Sequence, residues 1–203
     1  MVIIIDKSGS MSSNGRMPRA RGAALAVLDT LNPNDWFTVI AFDSTTQGPP
    51  GCFATQLALA NPYNIGSVKQ WVSTIQAGGG TDYGSAFGRA RSIVSSSDAR
   101  ARALKTAILF LTDGAPQDSE SVYLPQITGG PAEWRWFAFG LGISDNSDAA
   151  VKLNGVAAAG RTSSATLIPD GGNLRSAMSS YYNEPYFLQA NVGQCVTTVP
   201  YFE

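Results

Sequence analysis

The chain alternates short aliphatic runs with longer segments in which small and apolar residues recur every three or four positions. The aliphatic runs lack the polar alternation of a half-exposed strand, and they are typical of strands buried on both faces of a parallel sheet. They cover residues 2–5, 36–42, 107–111, 135–142 and 164–169. The pattern therefore predicts a buried, mainly parallel central sheet.

Segments with helical spacing separate these runs. They cover residues 17–31, 62–75, 83–97, 145–160 and 172–182. Asn61 and Pro62 are typical of the N-cap and first position of a helix. A short antiparallel edge strand is predicted near 54–58. This alternation predicts an α/β, doubly wound fold with right-handed crossovers and helices on both faces of the sheet. Residues 1–182 form one predicted domain, and 183–203 form an irregular tail outside the alternation.

Composition removes several classes of function. The chain has 203 residues, of which 44% are hydrophobic, with a formal net charge of −1 and no histidine. Without a strongly basic run, nucleic acid is not an expected partner. The absence of histidine removes the usual general base near neutral pH and the commonest ligand for transition metals. No run approaches the length needed to cross a bilayer, so we expect no membrane insertion by this segment.

The cysteines and the start of the chain bear on its context. Cys52 and Cys195 are the only cysteines, which is too few for a zinc site, and the sequence leaves open whether they form a disulfide. The first predicted strand begins at residue 2, with no secretory signal before it. We therefore expect a domain that belongs to a larger, multidomain chain.

Three loops rich in glycine and in oxygen-bearing side chains are predicted at one edge of the sheet. Their sequences are DKSGS after the first strand, GGGTD before a helix and TDG after the run 107–111. The carboxyl ends of parallel strands are where ligands bind in such sheets. Alternate residues of an extended segment point to one side, so Asp6, Ser8 and Ser10 can share a cation, with Thr81 and Asp113 completing the set. These hard oxygen ligands suit one divalent cation: Mg²⁺, Mn²⁺ or Ca²⁺.

The net charge of the five candidate ligands indicates what a cation bound there would do. Only Asp6 and Asp113 are anionic, so a bound divalent cation would be barely neutralised and would keep an open coordination position. A carboxylate from another protein could fill that position. The sequence thus predicts adhesion or assembly through a metal ion, with a partner protein that supplies an Asp or Glu.

The same loops resemble the metal-ion-dependent adhesion site of von Willebrand factor type A domains, whose pattern is D-x-S-x-S followed by a threonine and an aspartate. The resemblance spans residues 2–182. It implies that Asp6, Ser8 and Ser10 are the first-loop ligands, Thr81 the second-loop ligand and Asp113 the third. In some members of the family the last aspartate binds through water.

Three further segments resemble the type A domain of the alpha-two-delta subunits of voltage-gated calcium channels and their Cache-domain relatives. They are LNPNDWFTVIAF, GCFATQLALAN and the terminal VPYF. The resemblance implies an extracellular or cell-surface protein, with the tail as the start of a Cache-like region. It also implies that Cys52 forms a disulfide with a residue outside the domain, either Cys195 or a cysteine absent from this chain.

Other interpretations remain at individual positions. Asp82 could bind the cation through water or cap the following helix, which we favour. Asp43 is either a neighbour of the metal ligands or, as we favour, a solvated strand end. The domain could also be a structural part of a large extracellular assembly. A Mg²⁺-dependent phosphotransferase is a weaker alternative, because Ser8 stands where the second catalytic carboxylate would be needed and no lysine or arginine clamp is evident. We therefore do not expect an enzyme.

Overall fold

A computed structural model of the chain describes residues 1–179 and Tyr181. Its centre is a seven-stranded sheet in the order β3-β2-β1-β5-β6-β7, with β4 also paired to β2. The strands are β1 (Val2–Asp6), β2 (Trp36–Phe42), β3 (Thr46–Gln47), β4 (Ala58–Leu59), β5 (Thr106–Thr112), β6 (Trp134–Leu141) and β7 (Thr166–Ile168). β1, β2, β5, β6 and β7 are parallel, which confirms the predicted fold class.

The register of the central strands brings the polar loops to one edge. β1 lies between β2 and β5, and Ile4 is paired with Ile40 on one side and Phe110 on the other. All residues of β1 and β5 are buried, as the uninterrupted aliphatic pattern predicts. Asp6 and Thr112 therefore end neighbouring strands at the same carboxyl edge of the sheet.

Two layers of helices cover the sheet. The helices are α1 (Arg16–Leu28), α2 (Pro62–Thr74), α3 (Tyr83–Ser96), α4 (Ala99–Arg102), α5 (Glu120–Thr128), α6 (Asp148–Ala159) and α7 (Leu174–Ser179). One core cluster joins α1, α2 and α7 to the face that carries Ile3 and Ile5. The other joins α3, α5 and α6 to the face that carries Val2 and Ile4. Asn61 caps α2 with its side chain, as predicted.

The structure corrects three parts of the sequence prediction. The short helix α4 lies in a polar stretch that was expected to form a turn. Residues 51–54 form a short 3-10 helix, and the sheet edge consists of two short antiparallel strands, β3 and β4, not one strand at 54–58. Helix α5 was not predicted, because it contains Pro125 and buries only Tyr123 and Ile127, which leaves little helical periodicity.

The predicted tail, 183–203, and Cys195 lie outside the described residues. Within the described part of the chain, no helix has both the length and the apolar character required to span a membrane.

Candidate metal centre

The loop after β1 folds back on the carboxylate that ends the strand. Asp6 and Ser8 are buried. The backbone N–H of Ser8 donates to Oδ1 of Asp6 at 2.7 Å, and the Ser8 and Ser10 hydroxyl oxygens lie 3.1 Å apart. The two hydroxyls are thus adjacent, but the predicted extended segment ends at Ser8, because Gly9–Gly15 form a 3-10 helix that carries Ser10.

The loop after β5 meets this first loop through direct hydrogen bonds. The Ser10 hydroxyl donates to Oδ1 of Asp113 at 2.7 Å, and the Thr112 hydroxyl donates to Oδ2 of Asp6 at 2.6 Å. The structure therefore brings Asp6, Ser8, Ser10 and Asp113 together, although the first and last are 107 positions apart in the sequence.

The glycine-rich loop lies beside the other two and is held mainly through its backbone. Gly9 donates to the Gly79 carbonyl at 3.0 Å, and Gln117 donates to the Thr81 carbonyl at 2.8 Å. Gly79 has a φ of +85°, and a Cβ there would lie 2.7 Å from a carboxylate oxygen of Asp43. Thr81 is buried at this edge, but its hydroxyl is not part of the hydrogen bonds that join the other four side chains.

Burial dominates the electrostatics of Asp6. It raises the pKa of this carboxyl to about 6, against hydrogen bonds from Thr112 and Ser8 that lower it, while the nearby charge of Asp113 adds to the rise. An ionised Asp6 is therefore costly in the folded protein unless a cation lies beside it.

Arg16 is a charged residue at this site that the sequence analysis missed. Its Nη1 donates to Oδ2 of Asp113 at 2.9 Å, while its Nε and Nη2 bind the two oxygens of Asp170. The hydrogen bonds from Arg16 lower the pKa of Asp170 to about 2. Arg16 is the first residue of α1, where the helix dipole disfavours a cation, and that position is the sequence feature that could have indicated an acidic partner.

The structure also distinguishes between the two interpretations given for Asp82 and for Asp43. Asp82 caps α3, because its Oδ1 accepts from the Ser85 N–H at 2.9 Å, and the favoured interpretation is confirmed. The favoured interpretation of Asp43 is wrong. Its side chain is only 14% exposed and forms an ion pair with Lys7. Burial acts to raise the pKa of Asp43, but the hydrogen bonds from Lys7 and Thr45 outweigh it and the pKa is lowered.

The donor set fits a hard divalent cation. In the part of the chain that the structure describes, no group of three His, Cys, Asp or Glu side chains is placed to hold a metal. The set consists instead of two carboxylates and neighbouring hydroxyls, which suits Mg²⁺, Mn²⁺ or Ca²⁺ better than a soft metal. Asp6, Ser8, Ser10 and Asp113 could hold such an ion, with Thr81 in the adjoining loop.

Comparison with known proteins identifies the family. The model of the von Willebrand factor type A domain matches residues 1–115, which is more than half of the chain. The chain belongs to this family. Type A domains are typically adhesion or protein-interaction modules.

Curated relatives of this type A domain are much longer proteins. Human inter-alpha-trypsin inhibitor heavy chain H4 is 34% identical over 125 residues, which cover 60% of this chain and 13% of the relative. Human voltage-dependent calcium channel subunit alpha-2/delta-4 is 31% identical over 125 residues, covering 61% of this chain and 11% of the relative. The chain thus spans only a small part of the curated relatives it matches.

Solved structures agree with the fold. A von Willebrand factor type A protein from Catenulispora acidiphila has a TM-score of 0.78 at 23% identity, over 92% of this chain and 42% of that one. Proximal thread matrix protein 1 from the mussel byssus, with zinc in its MIDAS motif, has a TM-score of 0.61 at 14% identity, over 88% of this chain and 45% of that one.

Proposed function

We propose that this type A domain is a divalent-cation-dependent protein-binding module, used in adhesion or assembly. Asp6, Ser8, Ser10, Thr81 and Asp113 hold one Mg²⁺, Mn²⁺ or Ca²⁺ ion, which supplies an electrophilic centre for a carboxylate. The partner is a protein that presents an Asp or Glu to that ion.

The observation that carries this proposal is the convergence of two loops on one cluster of oxygens. Ser10 contacts both Ser8 and Asp113, while Asp6 is buried beneath them. Burial of Asp6 opposes its charge, and a bound cation would remove that penalty. The set is poor in negative charge, since Arg16 already compensates part of Asp113. A bound cation would retain attraction for an external carboxylate.

The geometry favours binding over phosphoryl transfer. A covalent mechanism would need an accessible aspartate nucleophile, but Asp6 is buried and both of its oxygens accept hydrogen bonds. Ser8 occupies the position where an acid/base carboxylate would be needed. Arg16 is at the site, yet Asp113 and Asp170 already occupy its guanidinium, so it does not serve as a free phosphate clamp.

The relatives support a wider context for the domain. We propose that it is part of a larger multidomain protein, because it matches only 13% of heavy chain H4 and 11% of alpha-2/delta-4. We also propose a location outside the cell or at its surface, as the resemblance to the calcium-channel subunits implies. A structural role within an extracellular assembly is the alternative, and it differs only in whether the cation receives a partner's carboxylate.

Calorimetry and thermal unfolding test the metal dependence. We expect Mg²⁺ or Mn²⁺ to release or absorb heat on binding and to raise the thermal midpoint as its concentration rises, because only the folded state offers the assembled site. Asp6→Ala should lose both effects, and Ser8→Ala should lose less, since water can replace a neutral ligand. Equal, negligible heats for wild type and Asp6→Ala would refute the proposal.

Metal removal and substitution of the partner's carboxylate test whether partner binding depends on the cation. Once a protein partner is in hand, chelation of the metal should abolish binding, and changing the partner's contacting Asp or Glu to its amide should weaken it severely. Loss of one member of a buried charge pair typically costs about 2 to 5 kcal/mol. If the affinity for the partner is unchanged in excess chelator, the metal does not take part in partner binding and has at most a structural role.

A further inference from the structure

The Arg16 guanidinium bridges two carboxylates that come from distant parts of the chain. Its Nη1 lies 2.9 Å from Oδ2 of Asp113, and its Nη2 lies 2.8 Å from Oδ2 of Asp170. The Asp113 side chain is fully buried, and that of Arg16 is only 14% exposed. The Arg16–Asp113 pair is therefore largely buried, whereas the Asp170 side chain on the other side of the guanidinium is 33% exposed.

The bridge fixes which oxygen Asp113 can offer to a ligand. Oδ2 of Asp113 is taken by Arg16, whereas Oδ1 accepts from Ser10, whose hydroxyl lies beside that of Ser8. Rotation of the carboxylate would break both contacts. Asp113 therefore presents a single oxygen, Oδ1, to the hydroxyl cluster.

Arg16 is itself held from its far side. Its Nε donates to Oδ1 of Asp170 at 2.9 Å, which completes a two-point contact, and Asn14 donates to Oδ2 of Asp170 at 2.7 Å. Gly142 has a φ of +69°, and a Cβ there would lie 2.3 Å from Nη2 of Arg16. The lack of a side chain at Gly142, just after β6, thus leaves room for this guanidinium.

We propose that Arg16 is a positioning residue that restricts Asp113 to single-oxygen coordination and thereby makes the site prefer Mg²⁺ or Mn²⁺ to Ca²⁺. This inference rests on the proposed function, because it concerns the same cation. Ca²⁺ takes about six to eight oxygen ligands and often binds a carboxylate through both oxygens, whereas Mg²⁺ requires an octahedral set of single oxygens. A carboxylate with one oxygen held by a guanidinium can still bind Mg²⁺ through its other oxygen. It cannot bind Ca²⁺ through both oxygens without losing the guanidinium contact.

The test is cation selectivity, measured by calorimetry on the full chain with MgCl₂, MnCl₂ and CaCl₂. Wild type should bind Mg²⁺ more tightly than Ca²⁺ by about tenfold or more. Arg16→Gln should reduce that ratio by about fivefold or more, mainly through tighter Ca²⁺ binding. Asp170→Asn, which keeps Arg16 but weakens its anchor, should shift the ratio in the same direction and serves if Arg16→Gln does not fold.

Arg21→Gln is the matched control. It removes the same charge from α1, but within the described residues Arg21 donates to the carbonyls of Ser73 and Ile75 and to no carboxylate of the site, so the ratio should stay within about twofold of wild type. Thermal midpoints without metal establish that each variant is folded.

Three results would overturn the inference. The first is an unchanged ratio in Arg16→Gln and Asp170→Asn, and the second is wild-type preference for Ca²⁺. The third is equal tightening of all three cations, since simple removal of a positive charge would cause that. If the variants bind cations with the selectivity of wild type, only the role of Arg16 is rejected. If wild type binds no cation, the proposed function is rejected as well.

Discussion

Asp6 combines complete burial with hydrogen bonds to both of its oxygens. The backbone of Ser8 and the hydroxyl of Thr112 orient the carboxylate, but they do not offset the cost of burying its charge, since its pKa is raised to about 6. Thr112 is in turn placed by Tyr83, whose hydroxyl lies 3.3 Å from it and donates to the Gly114 carbonyl at 2.6 Å. A residue that is unfavourable for stability in this way is typical of a functional site.

The raised pKa predicts a pH dependence for the metal-free protein. The usual pKa of Asp6 is 3.8, so between about pH 4 and 6 the folded state binds more protons than the unfolded state. The stability that the folded state gains from keeping Asp6 protonated is therefore greatest below about pH 4. It falls as the pH rises to about 6, and it is absent above that pH. Asp6→Asn should thus stabilise the metal-free protein at pH 8 by up to about 3 kcal/mol.

Thermal unfolding in EDTA at pH 8 checks this prediction. With saturating Mg²⁺ the order should reverse, because only wild type gains from the cation. Asp29→Asn is the control, since this side chain is 65% exposed, directly follows the last residue of α1 and is paired with Lys69. A lower midpoint for Asp6→Asn than for wild type in EDTA would contradict the account of Asp6.

At the scale of elements, the start of α3 links the second and third loops of the site. Asp118, in the loop before α5, accepts from the backbone N–H groups of Tyr83 and Gly84 at 3.0 and 2.7 Å. Gly84 allows this approach, because a Cβ there would lie 2.9 Å from Oδ2 of Asp118. The position of Thr81, two residues before α3, therefore depends on the loop that carries Asp113.

We predict that Asp118→Ala lowers both stability and cation affinity. Asp82 still caps α3 in this variant, but the N–H groups of Tyr83 and Gly84 lose their acceptor, and the expected loss is about 1 to 2 kcal/mol in urea unfolding. Calorimetry should show weaker Mg²⁺ binding, because the Thr81 loop loses its anchor.

Asp98→Ala provides the comparison. Asp98 caps the four-residue helix α4 at the opposite edge of the sheet, where its side chain accepts a hydrogen bond from the backbone N–H of Arg100. Its loss should cost less than about 1 kcal/mol and leave Mg²⁺ affinity unchanged. If both variants lose affinity equally, the effect of Asp118 is global destabilisation and not positioning of the loop.

At the scale of the whole molecule, Cys52 lies exposed in the 3-10 helix at 51–54, and its sulfur has no disulfide partner within the described residues. Cys195 lies outside those residues, so the pairing inferred from the family resemblance stays a prediction. A bridge between the two would close a long loop and contribute about 4 to 5 kcal/mol in the chain-entropy model.

Thiol counting decides the state of Cys52. Protein secreted from a eukaryotic host and denatured without reductant should show no free thiol if Cys52 and Cys195 pair with each other. Cys195→Ser should then expose one thiol or produce a disulfide-linked dimer. Two free thiols in the secreted wild type would exclude the bridge.

The sequence alone determined the five parallel strands, most helices and the chemistry of the candidate ligands, but not the two short edge strands β3 and β4. Burial on both faces requires uninterrupted aliphatic residues, and strand ends are marked by the first polar residue, so Asp6 and Asp113 could be assigned to one edge. Helix α5 was missed because its short, Pro-containing segment carries too few apolar positions to show a period. The ion pair of Asp43 was missed because its partner, Lys7, lies 36 positions away in the sequence.

Only the tertiary structure decided how these residues interact. Arg16 reaches Asp113 and Asp170, 97 and 154 positions away, because the strand order places β1 beside β5 and brings the β7–α7 connection to the start of α1. Periodicity reports which face of an element is buried, but not which distant side chain it meets. The ligand types were therefore visible in the sequence, whereas the guanidinium that orients one of them depends on contacts that form only when the sheet is assembled.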